Sequence, residues 1–147
     1  MESSSPVRVL VVAHKTAATQ PLLDAVAERA RRGPCEFTLL VPATKHGLDK
    51  LAGTDQAEDE TRAVLTEALP ALSNAAGSDV KGFVGDADPV AAVQDAINLK
   101  GFDEVIISTL TARLSRWLRL DLPSKVSGMG LPVTTVTPKE ADHTVHA

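Results

Sequence analysis

The segment that most constrains the fold is an apolar run near the start of the chain, residues 7–13, which reads VRVLVVA. A strand that is apolar at almost every position, rather than at alternate positions, needs cover on both of its faces. Helices packed on the two faces of a parallel sheet provide that cover. The run therefore predicts a central strand of an α/β protein.

Later apolar runs predict the remaining strands of the sheet. The third run has the weakest apolar content, which is typical of a strand at a sheet edge. The predicted strands after the first are residues 37–42, 80–85, 104–108 and 131–137.

Helical patterns separate these runs. The first helix has Pro21 in its first turn, and Gly33 and Pro34 follow its end. A polar loop is predicted over residues 43–56, and the second helix is expected to begin near residues 57–60. That helix runs to about residue 76, and Pro70 is expected to kink it or to end its regular part early.

The third helix has strong signals at both ends, because Asp88 and Pro89 favour its start and Gly101 favours its stop. Two short helices are predicted after the fourth strand, over residues 113–120 and 124–129. The residues from Pro138 onward are expected to fray.

Strands that alternate with helices predict parallel pairing through right-handed crossovers, and hence a three-layer α/β/α sandwich around a five-stranded parallel sheet. The chain has 147 residues and no linker rich in Pro, Gly or Ser, so one domain is expected over residues 1–147, with a core at about 7–137. The alternation alone permits the strand order 2-1-3-4-5 as well as 3-2-1-4-5.

Composition argues against several classes of partner. A net charge of -4 and an aromatic content of 3% disfavour nucleic acid as a ligand. No apolar run approaches the length of a membrane span and the first residues lack an apolar targeting core, so a cytoplasmic protein is expected.

The single cysteine, Cys35, excludes an internal disulfide and is interpreted as an inert, buried thiol. His143 and His146 have helical metal spacing without further ligands nearby, so no metal site is predicted.

In open α/β sheets, ligands bind at the carboxyl ends of the strands, where the chain changes from one face of the sheet to the other. The informative loops are therefore those after the first and fourth strands. These loops are residues 14–19 and 108–116.

The order of these elements resembles that of the universal stress proteins. The resemblance covers residues 7–137 and depends on VLVVAHKT before a helix, on GDADPVAAVQDAI before FDEVIIST, and on GLPVTTV near the end. It implies the strand order 3-2-1-4-5 and a homodimer. In ATP-binding members of this family, an acidic residue ends the first strand and a motif G-x2-G-x9-G-[S/T] follows the fourth.

This chain departs from that motif at each of its positions, which fall on Ser108, Thr111, Asp121 and Leu122, while the acidic position falls near His14. Glycines let backbone amides approach a phosphate closely, and a side chain at each site prevents that approach. ATP binding in the manner of the family is therefore not expected.

A polar and basic set of side chains remains at the predicted switch point. These side chains can replace amide donors toward a nucleotide or another phosphate-like anion, and no further cofactor is assigned. The candidate binding residues are His14, Lys15, Thr16, Val41, Ser108, Thr109, Thr111, Arg113 and Ser124.

The functional hypothesis is a dimeric small regulatory or ligand-binding protein of the universal stress type, which has either no nucleotide or an altered anionic ligand at the switch point. No catalysis is predicted. One alternative is an enzyme in which His14 or Lys15 acts on a phosphate-containing or nucleotide substrate. Another alternative is a partner-binding module that uses the amphipathic segment of residues 113–120. Trp117 would be exposed in such a module, whereas it would be a core or interface anchor otherwise.

Overall fold

A computed structural model of the chain describes residues 6–14, 16–43, 54–109, 116–119 and 121–137, with backbone alone at 54–60, 116 and 119. Its strands and helices alternate along the chain. They are β1 (Val7–Val12), α1 (Gln20–Arg31), β2 (Cys35–Pro42), α2 (Thr54–Ala76), β3 (Lys81–Gly85), α3 (Pro89–Lys100), β4 (Glu104–Ser108), α4 (Arg116–Arg119), α5 (Leu122–Ser127) and β5 (Val133–Val136).

The strands form one five-stranded sheet in the order β3-β2-β1-β4-β5, with every neighbouring pair parallel. The predicted fold class and the strand order 3-2-1-4-5 are confirmed. β1 is central, as its apolar run predicts, and β3 lies at an edge. The order 2-1-3-4-5, which the alternation of elements left open, is excluded.

Two apolar clusters, one on each face of the sheet, form the core. Val9 and Val11 of β1 pack on one face with side chains of α1 and α2, whereas Leu10 and Val12 pack on the other with side chains of α3 and α5. Both clusters therefore depend on β1, whose alternate residues supply one face each. On the first face the helices contribute Leu22, Val26, Ala68 and Leu72; on the second they contribute Ala92, Val93, Ala96, Leu122 and Val126.

The second helix begins earlier than predicted and continues past its proline. α2 begins at Thr54, before the expected start at 57–60, so the predicted loop of residues 43–56 is shorter; residues 44–53 lie outside the described part. The helix also continues through Pro70 to Ala76, so Pro70 does not end it. Ala68 and Leu72 on either side of the proline are both buried in the core, and this burial holds the helix together across the missing hydrogen bond.

The short helices are also displaced from their predicted bounds. Residues 116–119 form α4, while residues 113–115 and 120 of the predicted 113–120 helix lie outside the described part. α5 occupies Leu122–Ser127 instead of 124–129. Pro123 lies in the first turn of α5, where backbone N–H groups have no acceptor within the helix, so the proline costs no hydrogen bond. A proline is common at this position, and Pro123 would therefore have placed the start of α5 correctly.

The predicted start and stop of the third helix are confirmed. The carboxylate of Asp88 accepts the N–H of Val90 at 3.0 Å, and Pro89 follows as the first helical residue. Gly101 ends the helix with φ 77°, a conformation that glycine adopts without steric cost. This turn brings the chain from α3 into β4.

A partly buried ion pair joins α1 to β4 at the amino end of the sheet. Arg29 Nε lies 2.9 Å from Glu104 Oε2, Arg29 Nη2 lies 3.1 Å from Glu104 Oε1, and the side chains are 13% and 20% exposed. The hydrogen bond to Glu104 raises the pKa of Arg29, although burial opposes this effect. The paired geometry fixes the last turn of α1 against the start of β4.

We expect Glu104→Gln to lower the free energy of unfolding by about 2 kcal/mol, because it leaves the Arg29 guanidinium partly buried without its counter-charge. Urea unfolding followed by the fluorescence of Trp117 measures the change. Glu28→Gln is the matched control, since the Glu28–Arg31 pair is 58% and 68% exposed and its loss is expected to change stability by less than about 0.5 kcal/mol. Equal losses in the two variants would contradict the role assigned to Arg29–Glu104.

Candidate functional site

The connections that follow β1 and β4 lead to helices on opposite faces of the sheet. The connection after β1 leads to α1 on one face, and the connection after β4 leads to α4 and α5, of which α5 packs on the other face. β1 and β4 are neighbours in the sheet. The loops that leave their carboxyl ends therefore diverge, and such a divergence is the place where open α/β sheets bind ligands.

The loop after β1 consists of two successive turns. The N–H of Ala17 donates to the carbonyl of His14 at 3.1 Å, and the N–H of Thr19 donates to the carbonyl of Thr16 at 3.2 Å. The hydroxyl of Thr19 also donates to that carbonyl, at 3.0 Å, and makes no cap bond to α1. Local hydrogen bonds thus define the course of this loop. Lys15, a predicted site residue in the same loop, lies outside the described residues.

Two of the predicted site residues meet across the switch point. Thr16 Oγ1 and Ser108 Oγ lie 2.7 Å apart and form a hydrogen bond between residues 92 positions apart in the chain. Thr16 is 4% exposed and Ser108 is 2% exposed. The structure therefore brings these hydroxyls together as a buried pair that links the loop after β1 to the end of β4.

Thr109 takes part in a second hydroxyl pair, between the ends of β4 and β5. Its Oγ1 lies 2.7 Å from Thr137 Oγ1, and its backbone N–H donates to the carbonyl of Val136 at 2.9 Å. Thr137 was not among the predicted site residues. The register of β4 with the edge strand β5, which pairs Ser108 with Val136, is the signal that would have found it.

The other predicted site residues differ in their accessibility. Val41 is completely buried in the first core cluster, so its side chain is not available to a ligand. His14 is half-buried and has a further partner, whereas Ser124 is exposed in the first turn of α5. Thr111 and Arg113 lie outside the described residues.

Asp121 adopts a left-handed backbone conformation directly before α5, with φ 60° and ψ 40°. Among the described residues it is the sole non-glycine with positive φ. Its exposed carboxylate makes no cap bond to the helix. The conformation is one that glycine favours, so Asp121 adopts it at a steric cost that glycine would avoid.

Cys35 lies at the opposite end of the sheet from these groups, at the start of β2. Burial raises the pKa of its thiol, and the nearby charge of Arg29 opposes this effect only in part. The Sγ atom lies 3.4 Å from the carbonyl oxygen of Gly33, to which the thiol donates. A thiol with a raised pKa is a poor nucleophile at neutral pH, which agrees with the predicted inert role.

Trp117 is half-buried and packs against the second core cluster. This contact gives the ring a role as an anchor of α4 on the domain. The fully exposed ring that a partner-binding segment would present is not seen.

The described residues contain no group of three or more His, Cys, Asp and Glu side chains placed to hold a metal. His143 and His146 lie outside the described part of the chain. None of the described helices has both the length and the apolar character needed to cross a bilayer.

Comparison with solved structures gives similar folds. A universal stress protein from Archaeoglobus fulgidus is 14% identical to this protein and superposes with a TM-score of 0.65. The match covers 88% of this chain and 93% of the chain of that protein. The same organism's protein in complex with dAMP is 15% identical over 91% and 99% of the two chains, with a TM-score of 0.64. A universal stress protein family protein from Arabidopsis thaliana with AMP bound is 12% identical over 93% and 95%, with a TM-score of 0.64.

No protein-family model matches the chain, and no curated protein does. The structural likeness establishes that the chain has the fold of the universal stress proteins. The resemblance found in the sequence is thereby confirmed at the level of fold.

The left-handed conformation of Asp121 leads to a test of the turn before α5. We expect Asp121→Val to lower the free energy of unfolding by about 1–2 kcal/mol, because a β-branched residue adopts positive φ with strain. Asp121→Gly is expected to cause no loss, since glycine adopts this conformation freely. Both substitutions remove the carboxylate, so their difference in urea unfolding isolates the backbone effect; equal stabilities would contradict it.

The raised pKa of Cys35 predicts a pH dependence of stability. Because the thiol has a higher pKa in the folded than in the unfolded chain, its contribution is complete below the unfolded pKa and is lost as pH rises toward the folded pKa. We expect the free energy of unfolding to fall more steeply between about pH 8 and about pH 10 in the wild type than in Cys35→Ala. Parallel pH profiles of the two proteins would contradict this assignment.

Proposed function

We propose that this protein is a small regulatory or ligand-binding protein of the universal stress type. It binds a phosphate-like anion, free or as part of a nucleotide, at the carboxyl ends of β1 and β4, and it does not bind ATP through glycine amides. It acts in the cytoplasm as a homodimer. The observation that carries the proposal is the meeting of Thr16 and Ser108 where the loops after β1 and β4 diverge.

The choice of ligand class is supported by the nucleotides in proteins of the same fold. The structure from Archaeoglobus fulgidus contains dAMP and that from Arabidopsis thaliana contains AMP. Each of these ligands carries a single phosphate group. The proposed site accordingly needs to hold one phosphate-like group and does not require the glycine-rich cradle of a triphosphate.

The charges expected around the site support the same ligand class. Lys15 and Arg113 follow the ends of the first and fourth strands in the sequence and would neutralise the anion. Asp121 has the opposite effect, because its carboxylate, which has no ion pair among the described residues, repels added negative charge. This combination favours a compact anion over a polyphosphate.

The homodimer is supported by the edge of the sheet. β5 is an edge strand, and Thr134 and Thr135 within it are exposed. An edge strand with unpaired backbone groups can associate with a second copy of the same strand, and β-branched residues suit such a contact.

The test is a thermal-shift titration of the purified protein with ATP, AMP, cyclic AMP and inorganic phosphate at about 1 mM, with and without Mg²⁺. A ligand with a Kd of about 10 μM would add about 2.7 kcal/mol of stability, and the melting temperature would rise by about 5–10 °C. We expect such a rise with phosphate or with a monophosphate, and a smaller one with ATP. If none of these compounds raised the melting temperature, the result would contradict the proposed function.

Substitutions locate the binding. Lys15→Ala combined with Arg113→Ala is expected to abolish the shift, because the anion loses both of its neutralising charges. The matched control is Arg32→Ala combined with Lys81→Ala, which removes two exposed positive charges at the opposite end of the sheet. If both double variants lost the shift equally, net charge rather than the switch point would explain the binding.

A further inference from the structure

We draw no further inference here: the strongest candidate, the open polar cavity that Ser73, Asn74 and Asp79 line between the last turn of α2 and the start of β3, rests on the C-terminal end of one helix beside a single exposed carboxylate, and nothing in the described part of the chain shows what would bind there.

Discussion

Burial of β1 on both faces is the constraint on which the rest of the structure depends. Val9, Leu10, Val11, Val12 and Ala13 are all 0% exposed. A strand with this composition cannot lie at an edge or face water, so helices must cover both sides of the sheet. With right-handed crossovers, the connections on the two sides diverge where β1 meets β4. The position of the candidate site is therefore a consequence of how the central strand is buried.

The chemistry at this position begins where the apolar runs end. Ile107 is completely buried in the core and Ser108 follows it directly, still buried but with a hydroxyl. Alternation along β4 sends Ser108 toward the face of α1, where Thr16 lies, and sends Thr109 toward the opposite face. Two consecutive residues thus reach different partners, and this explains why only one of the hydroxyl pairs lies between the diverging loops.

Local signals in the sequence were sufficient for the fold class, whereas the strand order followed from the family resemblance and the site followed from neither. The VRVLVVA run and the Asp88–Pro89 start of α3 are local, and both predictions are confirmed. Pro70 does not end α2, because the burial of the residues around it outweighs its own preference. The contact between Thr16 and Ser108 joins residues 92 positions apart, and no local pattern encodes it. Val41 was placed correctly on a strand, but the depth of its burial follows only from the packed helices.

Side chains in place of glycine change which donors a switch point can offer to a ligand. A backbone amide is a fixed donor, whereas a hydroxyl rotates and either donates or accepts. A cradle of amides accordingly offers donors alone, whereas hydroxyl groups can also accept a hydrogen bond from a ligand. Asp121 keeps the left-handed turn that glycine would occupy and adds a negative charge beside it. The turn before α5 thus has the backbone geometry that glycine favours, while its side chain brings a charge that glycine lacks, so the shape of this loop does not by itself determine its ligand.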